Sequence, residues 1–308
     1  MIRSWAPGKI ILFGEHAVVY GRPAVAAPVD QVRATAQVEA GPAGGGVTLV
    51  ARDLGQVVHL AQAAPDDPLA VIARDTLRYL GQAPPDAIVT VTSSIPIASG
   101  LGSGAAVATA VARALAAFVG GELSPAEVSR LVYEVERIHH GTPSGIDNTV
   151  VAYGQPVYFV RQQRPERFRV GRPLHFLIAD SGIASPTREV VAAVRAGWEE
   201  APERYERLFD AIGALVDRAR RHMQAGQARA LGPLLTENHR LLQEMGVSSP
   251  VLDRLVDAAL GAGAGGAKLS GAGRGGNVIA LVDLPAGDQV KAALQAAGAR
   301  RVIATTVR

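Results

Sequence analysis

Apolar positions along the chain switch repeatedly between a period of two and a period near 3.6, which predicts a mixture of strands and helices. "KIILFGEHAVV" (9–19) and "PAVAAPVDQVRATAQVEA" (23–40) read as strands about a turn at Gly21. "GPAGGG" (41–46) lies between two β-like runs, "RATAQVEA" and "VTLVARD", and predicts a flexible hairpin turn. "LAVIARDTLRYLG" (69–81) has helical spacing with a stop at Gly81, and "AIVTVTSSIP" (87–96) alternates like a strand. A glycine-rich stretch then leads into an alanine-rich helix ending near Gly120. "SPAEVSRLVYEVERIHHG" (124–141) opens on a Ser-Pro helix signal and closes at Gly141, and "QPVYFVR" (155–161) reads as a strand.

The polar, arginine-rich stretch "RQQRPERFRVGRP" (161–173) marks the expected domain boundary, dividing the chain into 1–172 and 173–308. Beyond it come a strand, "LHFLIADSG", a long helical region from about Thr187 to Met245, and a further helix, "PVLDRLVDAAL". Two strands, "GAKLSG" and "NVIALVD", precede the helix "DQVKAALQAAG" and the strand "RVIATTV". Strands paired locally and later separated by helices indicate an α+β class in both halves.

Composition narrows the function classes. The 308 residues are 48% hydrophobic, enough for two sizeable cores, and no uncharged apolar run is long enough for a membrane span. The first residues lack a signal-peptide pattern and there is no cysteine, so disulfides and thiolate metal sites are excluded and a cytoplasmic location is expected. Net charge is +3 with a pI of 9.4, an excess too small and too evenly spread to indicate nucleic acid. The cations are nearly all arginine; the only lysines are Lys9, Lys268 and Lys291. Against that background a lysine stands out, because it offers a compact charge of tunable pKa that a guanidinium cannot.

Four stretches could carry chemistry. "PIASGLGSGAA" (96–106) sits between a strand and a helix, and spends three glycines where one would make a turn. A helix N-terminus presents unpaired N–H groups, and glycines let an anion approach them, so a phosphate is the natural occupant. Ser103 stands where a helix cap would be; its hydroxyl caps the helix or reaches a metal held by the phosphate. The loop matches neither the Walker pattern nor the dinucleotide fingerprint. "GAGAGGAKLSGAGRGGN" (261–277) is a second loop at which backbone could meet ligand, or a floppy hinge. In "APGKIILFGEH" (6–16), Pro7 and Gly8 place a turn before Lys9, which shares a strand face with Ile11 and Phe13. That lysine is a surface residue or a charge aimed into a cleft, and Glu15 and His16, after Gly14, read as turn residues. In "EVERIHHGTPSGIDN" (134–148), Asp147 could cap the next helix or act as a base. His139 and His140 lack metal-ligand spacing, and periodicity does not rank Glu134 against Glu136.

In this order the stretches resemble the GHMP kinases, the superfamily of galactokinase, homoserine, mevalonate and phosphomevalonate kinases. "PGKIILFGEHAVVYG", "PIASGLGSGAA" and "KLSGAGRGGN" are similar to its three motifs, and the likeness spans almost the whole chain. "GEHAVVYG", "HGTPSGIDN" and "ENHRLLQEMGVSSPVLD" look like the mevalonate kinase branch, and "DSGIASPTREVV" like the family's opening of the C-terminal domain. The resemblance implies a two-domain GHMP kinase fold, with a left-handed β-α-β unit in the N-terminal domain, a ferredoxin-like C-terminal domain and the active site in the cleft between them. It implies ATP-dependent phosphorylation of the primary hydroxyl of mevalonate, with Mg²⁺ as cofactor, and it allows a homodimer. ATP would lie over Pro96, Ser99, Gly100, Leu101, Gly102, Ser103, Gly104 and Ala105. Glu136, eleven residues before the aspartate, matches the Mg²⁺ ligand, with Ser103 beside it. Asp147 matches the base that takes the alcohol proton, and Lys9 the lysine that offsets charge on the phosphoryl group. Glu15, His16, Tyr20, Thr187, Gly271 and Ala272 fall on the substrate side.

Two positions depart from the pattern. Gly104 stands where a second serine is usual, the one expected on Mg²⁺; Ser103 or water replaces it, or the metal binds more weakly. Arg274 replaces a glycine, with its side chain reaching phosphate or solvent, and solvent is the expectation. The alternatives to mevalonate are another small-alcohol kinase, acting on phosphomevalonate or homoserine, and a catalytically silent nucleotide-binding protein.

Overall fold

The structure, a computed structural model, describes residues 1–96, 99–140 and 143–308, without the side chains of residues 139 and 140. Its elements run β1 (Ile2–Phe13), β2 (Ala24–Ala40), β3 (Val47–Ala51), β4 (Gln56–His59), α1 (Pro68–Tyr79), β5 (Ala87–Ser93), α2 (Ser103–Phe118), α3 (Pro125–His140) and α4 (Ile146–Tyr153). They continue as β6 (Val157–Phe159), β7 (Glu166–Arg167), β8 (Leu174–Asp180), α5 (Thr187–Glu200), α6 (Pro202–Gln224), α7 (Ala228–Glu244), α8 (Pro250–Gly261), β9 (Gly266–Ser270), β10 (Asn277–Val282), α9 (Gly287–Ala296) and β11 (Arg301–Val307).

Contacts group the chain into two compact units that no single cut separates. The first comprises Met1–Gly8, Val32–Pro96 and Gly102–Gly154; the second comprises Lys9–Gln31, Ile97–Leu101 and Gln155–Arg308.

In the first unit β5 pairs antiparallel with β2 and parallel with β3, whose other edge carries β4. The parallel pair β3 and β5 needs a crossover, which runs through β4 and α1. This arrangement overturns the expected hairpin at 41–46, because β5 lies between β2 and β3. Nor does the glycine loop swing freely: the Asp86 carboxylate accepts from Gly44 N and Gly46 N, each at 2.8 Å. Helix α2 buries alanines on nearly every side, and such small residues let α1, α3 and α4 pack close to it. Helix α3 starts on a reciprocal capping box, Ser124 N donating to Glu127 and Glu127 N to Ser124 Oγ. The stop expected at Gly141 lies outside the described residues.

In the second unit the four-stranded sheet runs β11-β8-β10-β9, all antiparallel. Numbered along the chain, that order is 4-1-3-2 in a β-α-β-β-α-β succession, the ferredoxin-like arrangement. The long helical region divides into α5, α6 and α7, with the breaks at Ala201 and at residues 225–227.

Two further expectations need correction. Strand β1 runs unbroken from Ile2 through Pro7 and Gly8, so no turn precedes Lys9; its residues from Ala6 onward are all buried. The strand also ends at Phe13, and residues 17–20 form a 3₁₀ turn, because Gly14 and His16 take positive φ of 101° and 62° that no strand tolerates.

Candidate active site

In the second unit, backbone and side-chain hydrogen bonds draw together three segments far apart in sequence. Lys9 N donates to Leu101 O at 2.9 Å, which ties the end of the first glycine loop to β1. Ser270 Oγ donates to Ile11 O at 2.8 Å and accepts from Ile11 N at 3.1 Å, joining β1 to the end of β9. His16 Nε2 donates to Ala272 O at 2.8 Å. Lys268 Nζ donates to Glu15 Oε1, and Asn277 Nδ2 donates to Ser99 O. Lys9, Glu15, His16, Ser99, Gly100, Leu101, Gly271 and Ala272 therefore share one neighbourhood.

The second glycine stretch is no floppy hinge. Ser181 N donates to Gly276 O, Gly276 N to Ile183 O and Ser185 Oγ to Gly273 O, at 2.8–2.9 Å. A Cβ on Gly273 would sit 2.0 Å from Val247 O, so only glycine admits this approach. These bonds also bring the segment leading to Thr187, the half-buried first residue of α5, against the loop. Arg274 is exposed, as expected, and holds φ at +56°, which explains why glycine suits the position.

Burial rules out the surface alternative for Lys9 and encloses Glu15 and His16 in the turn that follows β1. Lys9 is 4% exposed, Glu15 1% and His16 7%. Burial holds His16 near pKa 4, below its usual value, so its ring is neutral at pH 7. Burial raises Glu15 and lowers Lys268 from their ordinary values, each shift opposed by the partner's charge. Tyr20 stacks on Phe209 at 4.2 Å between ring centroids, with Trp198 at 5.5 Å.

In the first unit, Gly102 in left-handed conformation precedes α2, so Ser103 is the first helical residue rather than the cap, and no side chain caps that end. Gly104 and Ala105 follow in the same turn, and Pro96 ends the described segment before the loop. Asp147 is likewise not the cap of α4. Gly145 holds that place at φ 90°, and Asp147 lies half-buried in the first turn, where the helix dipole favours a carboxylate. Its neighbours fix the helix. Asn148 Nδ2 donates to Ser129 O and Oγ on α3, at 3.0 and 2.9 Å, and Thr149 Oγ1 donates to Gly145 O at 2.6 Å. The two glutamates differ in setting: Glu136 is 3% exposed, whereas Glu134 faces solvent beside Arg137. His139 and His140 lie outside the described side chains.

Among the described residues no group of three or more His, Asp or Glu side chains gathers at one point. The residues that the sequence offers for a metal, Glu136 and Ser103, would present oxygen, the donor type that suits Mg²⁺.

Two family models match the chain. The model described as GHMP kinases N terminal domain matches residues 68–155, and that described as GHMP kinases C terminal matches 211–300. The chain belongs to the GHMP kinase family. Relatives of this GHMP kinase include the mevalonate kinase of Thermococcus sibiricus, 37% identical over 296 residues, covering 90% of this chain and 87% of the relative. The mevalonate kinase of Archaeoglobus fulgidus is 38% identical over 281 residues, with 91% and 92% covered. Among solved structures, L. major mevalonate kinase in complex with R-mevalonate superposes with a TM-score of 0.85 at 28% identity, over 99% of this chain and 95% of that one. Methanococcus jannaschii mevalonate kinase gives 0.86 at 27%, over 99% and 98%.

Three residues of this neighbourhood carry no assigned role from sequence, Lys268, Ser270 and Asn277. The scarcity of lysine could have pointed to the first, and all three lie in the third motif, "KLSGAGRGGN".

Proposed function

We propose that the chain transfers the γ-phosphoryl group of ATP to the primary hydroxyl of mevalonate, giving 5-phosphomevalonate and ADP. The carrying observation is the convergence of Lys9, Glu15 and His16 with both glycine loops, in a chain whose relatives of matching length are mevalonate kinases. ATP phosphates would rest on residues 99–105, where positive-φ glycines at 100 and 102 expose backbone N–H groups ahead of the uncapped α2. Asp147 accepts the proton of the primary alcohol. Lys9, buried at the end of the first glycine loop, offsets charge gathering on the transferred group. Glu15, His16, Tyr20, Thr187, Gly271 and Ala272 bind and orient the alcohol. Glu136 and Ser103 would hold Mg²⁺, which supplies charge neutralisation between the phosphates. We further assign these tasks to domains 1–172 and 173–308, which contain the two family matches, and the enzyme to the cytoplasm.

Purified protein with ATP and Mg²⁺ is expected to release ADP when mevalonate is added, and not with homoserine or phosphomevalonate; another substrate favoured tenfold would overturn the assignment. Asp147→Asn is expected to lower kcat by about a hundredfold or more while nucleotide affinity changes little. A wild-type kcat would remove Asp147 as the base.

A further inference from the structure

The Glu15 carboxylate is paired through one of its two oxygens. Lys268 Nζ donates to Oε1 and to Leu269 O, while Oε2 is buried and no other side chain donates to it; the residue's own backbone N–H and the Lys9 charge are the further groups that favour the ionised carboxylate. Both side chains are enclosed, Lys268 at 0% and Glu15 at 1% exposure. An ion pair so deeply buried contributes little net stability, and a carboxylate oxygen left without a donor costs free energy. Burial drives both groups toward their neutral forms, against the pairing that holds them charged. The fold thus maintains an expensive acceptor beside the loop that carries Ala272, and a donor from outside the chain would repay it.

The pair is held from behind as well. Leu269 N donates to His239 Nδ1 at 3.3 Å, which leaves the ring's proton on Nε2, donated to Asp253 Oδ1 at 3.0 Å. Ser248 Oγ donates to the same carboxylate oxygen at 2.5 Å. These residues belong to the 237–253 stretch, for which phosphoryl transfer provides no task. They set β9, and with it the lysine. On the other side the His16 bond to Ala272 O fixes the residue next to Glu15.

We propose that Lys268 is a positioning residue: it holds Glu15 by Oε1 and keeps Oε2 as the acceptor for the substrate hydroxyl that is not phosphorylated, the tertiary alcohol of mevalonate. This rests on mevalonate being the substrate. Of its two hydroxyls, the primary one is the nucleophile and gives its proton to Asp147, so the tertiary one is free to donate elsewhere. A site built to pair with a hydroxyl rejects the analogue lacking it, because its own buried acceptor is then left unmatched. The lysine fixes which oxygen is offered.

The test is steady-state kinetics with mevalonate and its 3-deoxy analogue, 5-hydroxy-3-methylpentanoate, alongside melting temperatures. Wild type is expected to prefer mevalonate by about a hundredfold or more in kcat/KM. Lys268→Met is expected to shrink that preference to about tenfold or less, raising KM for mevalonate and leaving KM for ATP unchanged. A double variant, Glu15→Leu with Lys268→Met, removes both buried charges; it is expected to regain the melting temperature lost in the single variant and not the preference. It also decides the matter if Lys268→Met alone fails to fold. Equal turnover of both substrates by wild type, or a preference that survives in Lys268→Met or returns in the double variant, overturns this role and leaves the kinase activity standing. Wild type that phosphorylates a different alcohol and not mevalonate overturns the substrate assignment itself, and this role with it.

Discussion

Lys9, Lys268 and Lys291 are the chain's only lysines, and the structure buries the first two while leaving the third exposed. A compact ammonium fits where a guanidinium would need five partners, so a rare residue type marked positions that composition alone would pass over. His16 carries a prediction of its own. Its backbone sits at φ 62°, its ring is buried, and Lys268 and Arg274 add to the burial that holds its pKa near 4. The unfolded chain takes up this proton near the ordinary value of 6.5 and the folded chain does not until about 4. The residue is therefore stability-neutral above that window and costs stability as pH falls through it, by about 3 kcal/mol at the lower end. Urea titrations at pH 7 and pH 4.5 are expected to show a smaller acid loss for His16→Gln than for wild type. An identical loss would mean that the ring protonates freely in the folded state. Sequence could not have shown this, since the ring's burial depends on a contact with Ala272, 256 positions away.

At the scale of elements, α7 and β9 meet backbone to backbone. A Cβ on Gly232 would lie 1.9 Å from Gly265 O, and one on Gly266 would lie 2.0 Å from Gly232 O. That approach places His239 within reach of Leu269 N. Gly232→Ala is expected to destabilise the fold by about 3 kcal/mol, read as a lower urea midpoint at unchanged slope. A change under 0.5 kcal/mol, on the order expected of surface sites, would show the contact to be looser than described. Element types were largely legible from periodicity, as α1, β5, α3 and the whole β9-to-β11 run attest. Caps were not. Ser103 and Asp147 each look like the capping residue, yet a left-handed glycine directly before α2, and one two residues before Asp147, takes that place. Side-chain chemistry at a helix start and backbone handedness compete there, and the sequence does not say which wins. The misplaced hairpin has the same origin: local turn chemistry marks a bend at 41–46, but strand partnership is decided by β5, some forty residues later.

For the molecule as a whole, β1 and β2 each pass from one compact unit to the other. In β2, Ala24–Ala26 pairs with β6, and Ala34–Ala40 pairs with β5. A strand cannot unravel in one half without disturbing the other, so calorimetry is expected to show a single transition rather than two. Two resolved transitions would mean that the shared strands fail to couple the units. The family resemblance, carried by motifs at three separated places, extended over nearly the whole chain, and relatives covering about nine-tenths of it bear that out.

The 4-1-3-2 order has a consequence for how the chain is made. Strand β8, "LHFLIAD", sits between β10 and β11, and both are synthesised long after it. Roughly 100 residues separate it from its first partner, a wait of about 5–20 s at ordinary elongation rates. Through that interval an apolar segment with two bare edges hangs from the ribosome, with only the helices α5 to α8 emerging to shelter it. Truncated or slowly translated forms of this protein would therefore lean on chaperones far more than the finished enzyme does.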